Sequence, residues 1–339
     1  MPSGASRAET VNVLFTSAGR RVELVRAFRQ AYRETGIAGR LLAADIDPLA
    51  PALHEADAGF LVPSLDDARY IPALSQLCRD EAVTLVFPLI DPDIPALAHG
   101  REAIESSGAR LAAVPAEAAD LTRDKWRTYQ WLTENNIPTP RTWLGREMPS
   151  SGFGFPLFVK PRYGSAGKQG FRAQTPEQLR FFLEYVPDPV VQPFVEGAEV
   201  TSDVFCSLEG QVWAVVSRRR IEVRWGEVAK GETLHDATVQ SHCLTIAGGL
   251  KAVGPITVQC LMQSGQPLFT EINARFAGGA PLAFAAGVPA PRWYLEQAAG
   301  RKVTPPPLGS YRAGLSLTRY DESFFLDEDA RARLARRGV

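Results

Sequence analysis

An α/β unit built on a parallel sheet, followed by an α+β unit, is the fold class this sequence predicts. Three observations lead there. From Val11 onward, strand-like apolar runs alternate with helical patterns, as a parallel sheet covered by helices requires. The character changes after Leu121, and from VVQPFV onward apolar runs alternate with Gly-containing turns, as antiparallel strands do. No run approaches the ~20 apolar residues that span a bilayer, and the chain is long enough to bury a sizeable core.

In the first unit the order is VNVLFT, a helix through VELVRAFRQAYRE, LLAAD, a helix around ARYIPALSQLCRD, TLVFP, a helix near ALAHGREAIESS, and LAAV. Ligands of such sheets sit beyond the carboxyl ends of the strands. Three polar segments fall there: Ser17-Ala18-Gly19-Arg20-Arg21, Asp45-Ile46-Asp47 and Asp91-Pro92-Asp93. A dinucleotide fingerprint needs G-x-G-x-x-G after the first strand, and SAGRR supplies one glycine. The second unit begins with a helix from Arg123 to Asn135, the Pro-rich IPTPRTW, a strand at PLFVK, a glycine-rich loop and a helix near PEQLRFFLEY. The strands VVQPFV, EVTSDVFCS, QVWAVVSRRR, ITVQCLM and PLFTEIN follow. From about Arg301 the chain carries three consecutive prolines and a charged finish, which is either docked or partly mobile. Met1 to Thr10 is small and polar, a frayed tail rather than a signal peptide.

The chain has 339 residues, 45% hydrophobic and 22% charged, ordinary globular usage with length for two or three packed units. Lys plus Arg (37) nearly balances Asp plus Glu (38), so no net field points to nucleic acid or a membrane, and small molecules are the expected partners. Cys78, Cys206, Cys243 and Cys260 form no CxxC pair and the His residues show no ligand spacing, which suits a reducing cytoplasm without structural zinc.

The strongest chemical signal is Glu271-Ile272-Asn273-Ala274-Arg275 at a strand end. Strand side chains alternate, so Glu271 and Asn273 share a face and Ile272 points into the packing. Two oxygen donors on one face suit Mg²⁺, a hard cation shared between few protein oxygens and nucleotide phosphates. Arg275 continues that face if the strand persists, and an arginine can pair with phosphate. A solvated strand end is the bland alternative. The strand before it brings Gln259 opposite Glu271 if the intervening loop is odd in length, and an odd loop is the expectation; a two-residue loop would put them on opposite faces. A second signal is FPLFVKP, which delivers Lys160 at a strand end. The loop Gly164-Ser165-Ala166-Gly167-Lys168-Gln169-Gly170 follows, with backbone N–H groups able to close on phosphate. It is not a P-loop, since G-x-x-x-x-G-K-S/T before a helix is absent.

In order, Asp124-Lys125, FPLFVKP with its glycine-rich loop, VVQPFVEGAEV, Gln259 and EINARFAGG resemble the ATP-grasp superfamily over roughly residues 11 to 300, and most of all its carbamoyl-phosphate-synthetase-like single-unit branch. The resemblance implies two subdomains clasping ATP. A tail (1–10) would precede a pre-ATP-grasp α/β domain (11–122), a small lid subdomain (123–190), a large subdomain (191–300) and a C-terminal extension (301–339). It also implies roles. Lys125 and Lys160 would hold ATP phosphates, with Gly164, Ser165, Ala166, Gly167 and Lys168 closing over them. Gln192, Pro193, Phe194 and Val195 would read adenine through their backbone, and Glu199 would accept from the ribose hydroxyls. Gln259, Glu271 and Asn273 would bind Mg²⁺, with Mn²⁺ as an alternative ion. Arg275 and Lys160 would be catalytic. Where Gln192 and Pro193 stand, the family often has Glu and Lys.

Gly19, Arg20, Arg21 and Asp91, with Asp45, Asp47 and Asp93 nearby, would contact the substrate, since arginine suits a carboxylate and aspartate an ammonium. Arg218 and Arg220 share one face of a strand and Arg219 takes the other; the site-facing reading stands beside that of an edge charged against pairing. Phosphoryl transfer depends on positioning and charge neutralisation, which suits lysines, magnesium ligands and an arginine without a Ser-His or Cys-His pair. The implied activity is ATP-dependent activation of a carboxylate as an acyl phosphate for attack by an amine, releasing ADP and phosphate. Carboxyphosphate or carbamoyl chemistry on bicarbonate and a non-catalytic ATP-binding module remain the alternatives. A homodimer is compatible with each.

Overall fold

The structure is a computed structural model that describes residues 10–149, 151–164, 169–329 and 334. The N-terminal tail and the loop residues Ser165, Ala166, Gly167 and Lys168 lie outside them.

The first unit runs β1 (Val13–Thr16), α1 (Val22–Thr35), β2 (Leu41–Asp45), α2 (Pro51–Glu55), β3 (Ala58–Leu61), α3 (Tyr70–Asp80), β4 (Leu85–Pro88), α4 (Asp93–His99), α5 (Arg101–Glu105) and β5 (Arg110–Leu111). Its strands pair in parallel in the order β3-β2-β1-β4-β5. Every residue of β1, β2 and β4 is buried, as expected of strands covered on both faces. β1 lies where the strand order reverses, so the segments after β1 and β4 flank the crevice in which such sheets bind ligands. The short α2 and β3 are absent from the sequence reading, and the single helix expected near ALAHGREAIESS divides at Gly100 into α4 and α5.

Two helices then lead onward, α6 (Ala116–Arg123) and α7 (Lys125–Glu134). Asp124 separates them, accepting from the backbone N–H groups of Trp126 and Arg127 as the N-cap of α7. Next come β6 (Trp143–Leu144), β7 (Leu157–Pro161), β8 (Phe171–Ala173), α8 (Pro176–Tyr185) and β9 (Pro189–Pro193). They form an antiparallel sheet in the order β6-β9-β7-β8, with α8 packed on its small core around Leu157, Val159, Leu179 and Val191.

The larger antiparallel sheet holds β10 (Ala198–Cys206), β11 (Val212–Arg224), β12 (Glu227–Leu234), then after helix α9 (Ala237–Gly249) β13 (Pro255–Gln263) and β14 (Gln266–Asn273). Helices α10 (Ala280–Ala285) and α11 (Ala290–Ala298) follow, and β15 (Ser316–Thr318) completes the order β14-β13-β10-β11-β12-β15. One core joins the first unit to this sheet. Phe15, Phe28 and Phe87 pack with Phe205, Phe276 and Tyr294, and Phe87 and Phe276 lie 5.2 Å apart. The C-terminal extension is docked through β15, and Leu334 reaches the same core.

Candidate active site

The hairpin that carries the EIN segment corrects the loop expectation. Gln263 pairs with Gln266 across a two-residue turn, Ser264-Gly265, whose φ values of +49° and +80° are those of a type I′ turn. On its own that turn would set Gln259 opposite Thr270. A β-bulge between Gln259 and Cys260 leaves Thr270 as an extra residue, and Gln259 faces Glu271 after all. Ile272 points into the core at 2% exposure.

Arg275 does not continue the strand face. β14 ends at Asn273, and the guanidinium turns to Asp91 in the segment after β4, with Nη2 2.6 Å from Oδ2. Asn273, Glu271 and Asp91 meet at one point. The end of the Asn273 amide that faces them lies 2.9 and 3.2 Å from the two Asp91 oxygens and 3.3 Å from Glu271 Oε1. With its nitrogen there, the amide donates to both carboxylates. With its oxygen there, the amide stands from each carboxylate at about the ~3 Å that separates adjacent oxygens around Mg²⁺, whose bonds are ~2.1 Å. That spacing is the structural argument that these residues fit the ion.

Two lysines converge on the same carboxylate. Asp124 ties the start of α7 to the end of β7, because Arg162 donates to it through Nε at 2.8 Å and Nη2 at 2.6 Å. This brings Lys125 beside the glycine-rich loop, where its Nζ donates to Gly164 O at 2.6 Å. Burial lowers the Lys160 pKa to about 8, a shift that Glu271 opposes and Lys125 reinforces. Burial likewise lowers Lys125, and raises Glu271 against the pull of both lysines. A cavity of about 540 Å³ opens beside this cluster, lined by Asp91, Lys125, Tyr163, Gly164, Glu271 and Asn273 among others.

Other anticipated residues sit differently. The Gln192 side chain is buried and donates to Thr142 Oγ1 at 2.8 Å, Pro193 has no N–H, and the Phe194 N–H is spent on Pro156 O at 3.0 Å. Of this stretch Val195 keeps a backbone donor outside the strand. Glu199 accepts from Arg220 at 2.5 Å, so the two anticipated ligand contacts hold each other. Arg218 points inward, 2% exposed, and pairs with the equally buried Asp203 beneath Gly279, while Arg219 is exposed. The site-facing reading of Arg218 is thereby corrected: it has almost no surface to offer. Asp93 is also interior, accepting from Thr16 Oγ1 at 2.5 Å and Tyr70 OH at 2.6 Å. Gly19, at φ +47°, gives its N–H to Asp45 Oδ2 at 2.7 Å. Arg20 lies at the surface against Trp225, 4.9 Å from the ring centroid.

Arg162, Glu227 and Arg319 went unnoticed in the sequence. An Asp before a helical run is an N-cap signal, so Asp124 was readable as such, but nothing local marks the other three.

Residues 13–112 match the PylC-like N-terminal domain, and residues 122–279 match the ATP-grasp domain. The chain carries an ATP-grasp domain. It is 25% identical over 221 residues to the carbamoyl phosphate synthase large chain of Archaeoglobus fulgidus, which covers 59% of this chain and 20% of that one. It is 27% identical over 178 residues to the carbamoyl-phosphate synthase of Methanobrevibacter smithii, 51% of this chain and 47% of that one. The chain thus spans less than half the length of both curated relatives. In fold it resembles the biotin carboxylase domain of Hydrogenobacter thermophilus 2-oxoglutarate carboxylase, determined with MgADP and bicarbonate (TM-score 0.70, 17% identity, 90% of this chain and 73% of that). It also resembles N5-carboxyaminoimidazole synthetase from Staphylococcus aureus with ADP (TM-score 0.70, 16% identity, 87% and 79%) and L-amino acid ligase from Bacillus licheniformis (TM-score 0.66, 17%, 85% and 74%). Among the described residues no helix is long and apolar enough to cross a membrane, and all four cysteines are free and buried.

Proposed function

We propose that this ATP-grasp protein is an ADP-forming ligase that phosphorylates a small-molecule carboxylate and passes the acyl group to an amine. The observation that carries the reading is the meeting of Asn273 with the Glu271 and Asp91 carboxylates beside a cavity that Lys125 also lines, with the charges of Lys160 and Arg275 acting on Glu271.

In this reading Gln259, Glu271 and Asn273 hold Mg²⁺, or Mn²⁺ with its similar taste for oxygen. The ion supplies charge neutralisation on the nucleotide phosphates. Lys125 and Lys160 hold the phosphates from the side of the smaller sheet, and the loop from Gly164 to Gly170 closes over them. The lowered pKa of Lys160 is repaired when an anion arrives, since a nearby opposite charge favours the ammonium. Val195 and the carbonyls of residues 192–195 read adenine. Arg275, held by Asp91, faces the reacting carboxylate and stabilises charge as the phosphoryl group moves. The amine then expels phosphate from the acyl phosphate.

The neighbours of like fold were determined with bicarbonate and ADP or are named an amino acid ligase, which supports ligation as a class without choosing its substrate. Carboxyphosphate formation from bicarbonate is the second reading, supported by the two carbamoyl-phosphate synthase relatives. Small-molecule partners, a homodimer and the cytoplasm belong to the same proposal.

Hydroxylamine tests it. Carboxylates are offered one at a time with Mg-ATP and hydroxylamine, and the true substrate should give ADP and a hydroxamate. Bicarbonate with ammonia belongs in the screen, read as carbamoyl phosphate. Accumulation of AMP would refute γ-phosphoryl transfer, and tight ATP binding with no product across a broad screen would favour a non-catalytic module.

A further inference from the structure

Three arginines from distant stretches of chain gather at one place. Arg21 follows β1, Arg275 follows β14, and Arg319 lies just beyond β15 in the C-terminal strap. Arg21 is near enough to Arg275 and Arg319 that both charges add to the burial that lowers its pKa. Two inner carboxylates serve all three cations. Glu227 Oε1 lies 3.1 Å from Arg21 Nη1, Glu227 Oε2 lies 3.0 Å from Arg319 Nη1, and Asp91 takes Arg275. Arg319 Nη2 reaches outward to the half-exposed Glu23 at 2.6 Å and donates to Gly278 O.

The cluster is unfinished in its hydrogen bonding, although Glu23, Glu227 and Asp91 balance the three guanidinium charges. Arg21 Nη1, Arg275 Nε and Arg319 Nε are each buried without a hydrogen-bond partner; Nη1 of Arg21, although close to Glu227, lacks hydrogen-bond geometry. Buried donors left unpaired are costly, and three guanidinium donors left open together suit a ligand with acceptor oxygens. The place is apt, because Arg21 and Asp91 stand at the switch point of the parallel sheet, where ligands enter. Gly278 packs directly on the cluster, since a Cβ there would meet Arg21 Nη1 and the Glu227 carboxyl carbon, both at 2.6 Å, and displace one of them.

We propose that Arg21 and Arg319 bind a second carboxylate of the substrate, separate from the one that Arg275 presents for phosphorylation, so that the C-terminal strap determines which acid is accepted. This rests on the ligase reading above. A carboxylate suits the site better than a phosphate, because Glu23, Glu227 and Asp91 already balance the arginines and a single negative charge adds the least repulsion. Guanidinium forks also match a planar carboxylate. Arg319 is the specificity-determining member, since it is brought in by the strap rather than by the sheet units that hold ATP.

Calorimetry on the full chain with Mg²⁺ and AMPPNP tests this, using acetate, malonate, succinate, glutarate and inorganic phosphate as probes. At least one dicarboxylate should bind about tenfold or more tighter than acetate, and Arg319→Met should erase that preference, the loss expected for a charge-assisted contact. Arg319→Lys, which keeps the charge and the strap contacts without the fork, should retain part of the preference and guards against misfolding of the Met variant. Equal affinity for mono- and dicarboxylates in the wild type, or a preference that survives Arg319→Met, overturns the proposal. Phosphate binding tighter than every dicarboxylate overturns the carboxylate assignment. AMPPNP affinity in the same samples reports the nucleotide site separately, so failure there counts against the ligase reading itself.

Discussion

Arg275 and Asp91, 184 residues apart, form an ion pair at 2.6 Å that joins the loop after β14 to the segment after β4. Both are largely buried, with side chains 15% and 21% exposed, so the pair fixes the guanidinium at the seam between the parallel sheet and the ATP-grasp sheet. Arg275→Lys keeps the charge but loses the planar fork. Turnover should fall by ~10²-fold or more with little change in ATP affinity, the pattern of an interaction made mainly in the transition state. Steady-state ADP formation checks it; a rise in KM for ATP at unchanged kcat would place Arg275 in ground-state binding instead.

Glu271→Gln and Asn273→Ala should each abolish turnover while the protein stays folded. A neutral amide in place of Glu271 relieves the desolvation that raises its pKa but also removes the counter-charge of buried Lys125 and Lys160, so Tm at neutral pH should change little. Normal activity at saturating magnesium in both variants would dismiss the metal assignment.

Lys160 should make nucleotide binding take up protons. Its pKa in the folded protein, about 8, lies below the ordinary 10.5. Below pH 8 the lysine is charged whether folded or not, and the cost of burying the charge is fully felt. Between about 8 and 10.5 the folded protein has shed the proton while the unfolded chain keeps it, so the residue's contribution to stability rises with pH there. Phosphates restore the ammonium. Calorimetry of ATP binding near pH 8.5, in two buffers of different ionisation enthalpy, should show uptake that Lys160→Met removes. Lys160→Ala should lower activity by ~10²-fold or more.

The Arg218 and Asp203 pair should behave as structure rather than as a ligand contact. Arg218→Met strands a buried carboxylate, whose pKa burial already raises, and should cost about 3–5 kcal/mol of stability. The double change to Met and Leu should recover much of that loss. Denaturant unfolding measures both, and a stable, inactive Arg218→Met would return the residue to the substrate site.

Asp93 carries a pKa raised to about 6 by burial, which the hydroxyls of Thr16 and Tyr70 only partly oppose. Its folded value lies above its unfolded one, so its penalty is absent below about pH 4 and grows until pH passes 6. Asp93→Asn should therefore flatten stability between pH 4 and 6, as Tm against pH will show.

The chemistry was legible in the sequence wherever it followed the strand period. Glu271 and Asn273 flank a core Ile272, and Arg218, Arg219 and Arg220 alternate inward and outward as a strand requires. The hairpin was not legible, because a bulge adds Thr270 without disturbing any local pattern. Helix α9 also escaped notice. Its buried Val239, Cys243, Ile246 and Ala247 do recur at helical spacing, but among small and weakly polar residues that make the stripe shallow. Arg319 meets Glu23 across 296 residues, a contact that only the docked strap creates.

A crystal structure with Mg²⁺ and AMPPNP tests the central claim most directly. The expected result places the ion within about 2.0–2.2 Å of Glu271 and Asn273 oxygens, with Lys125 and Lys160 on the phosphates and the γ-phosphate toward Arg275. A nucleotide whose metal avoids Glu271 and Asn273, or whose phosphates lie away from both lysines, would contradict it.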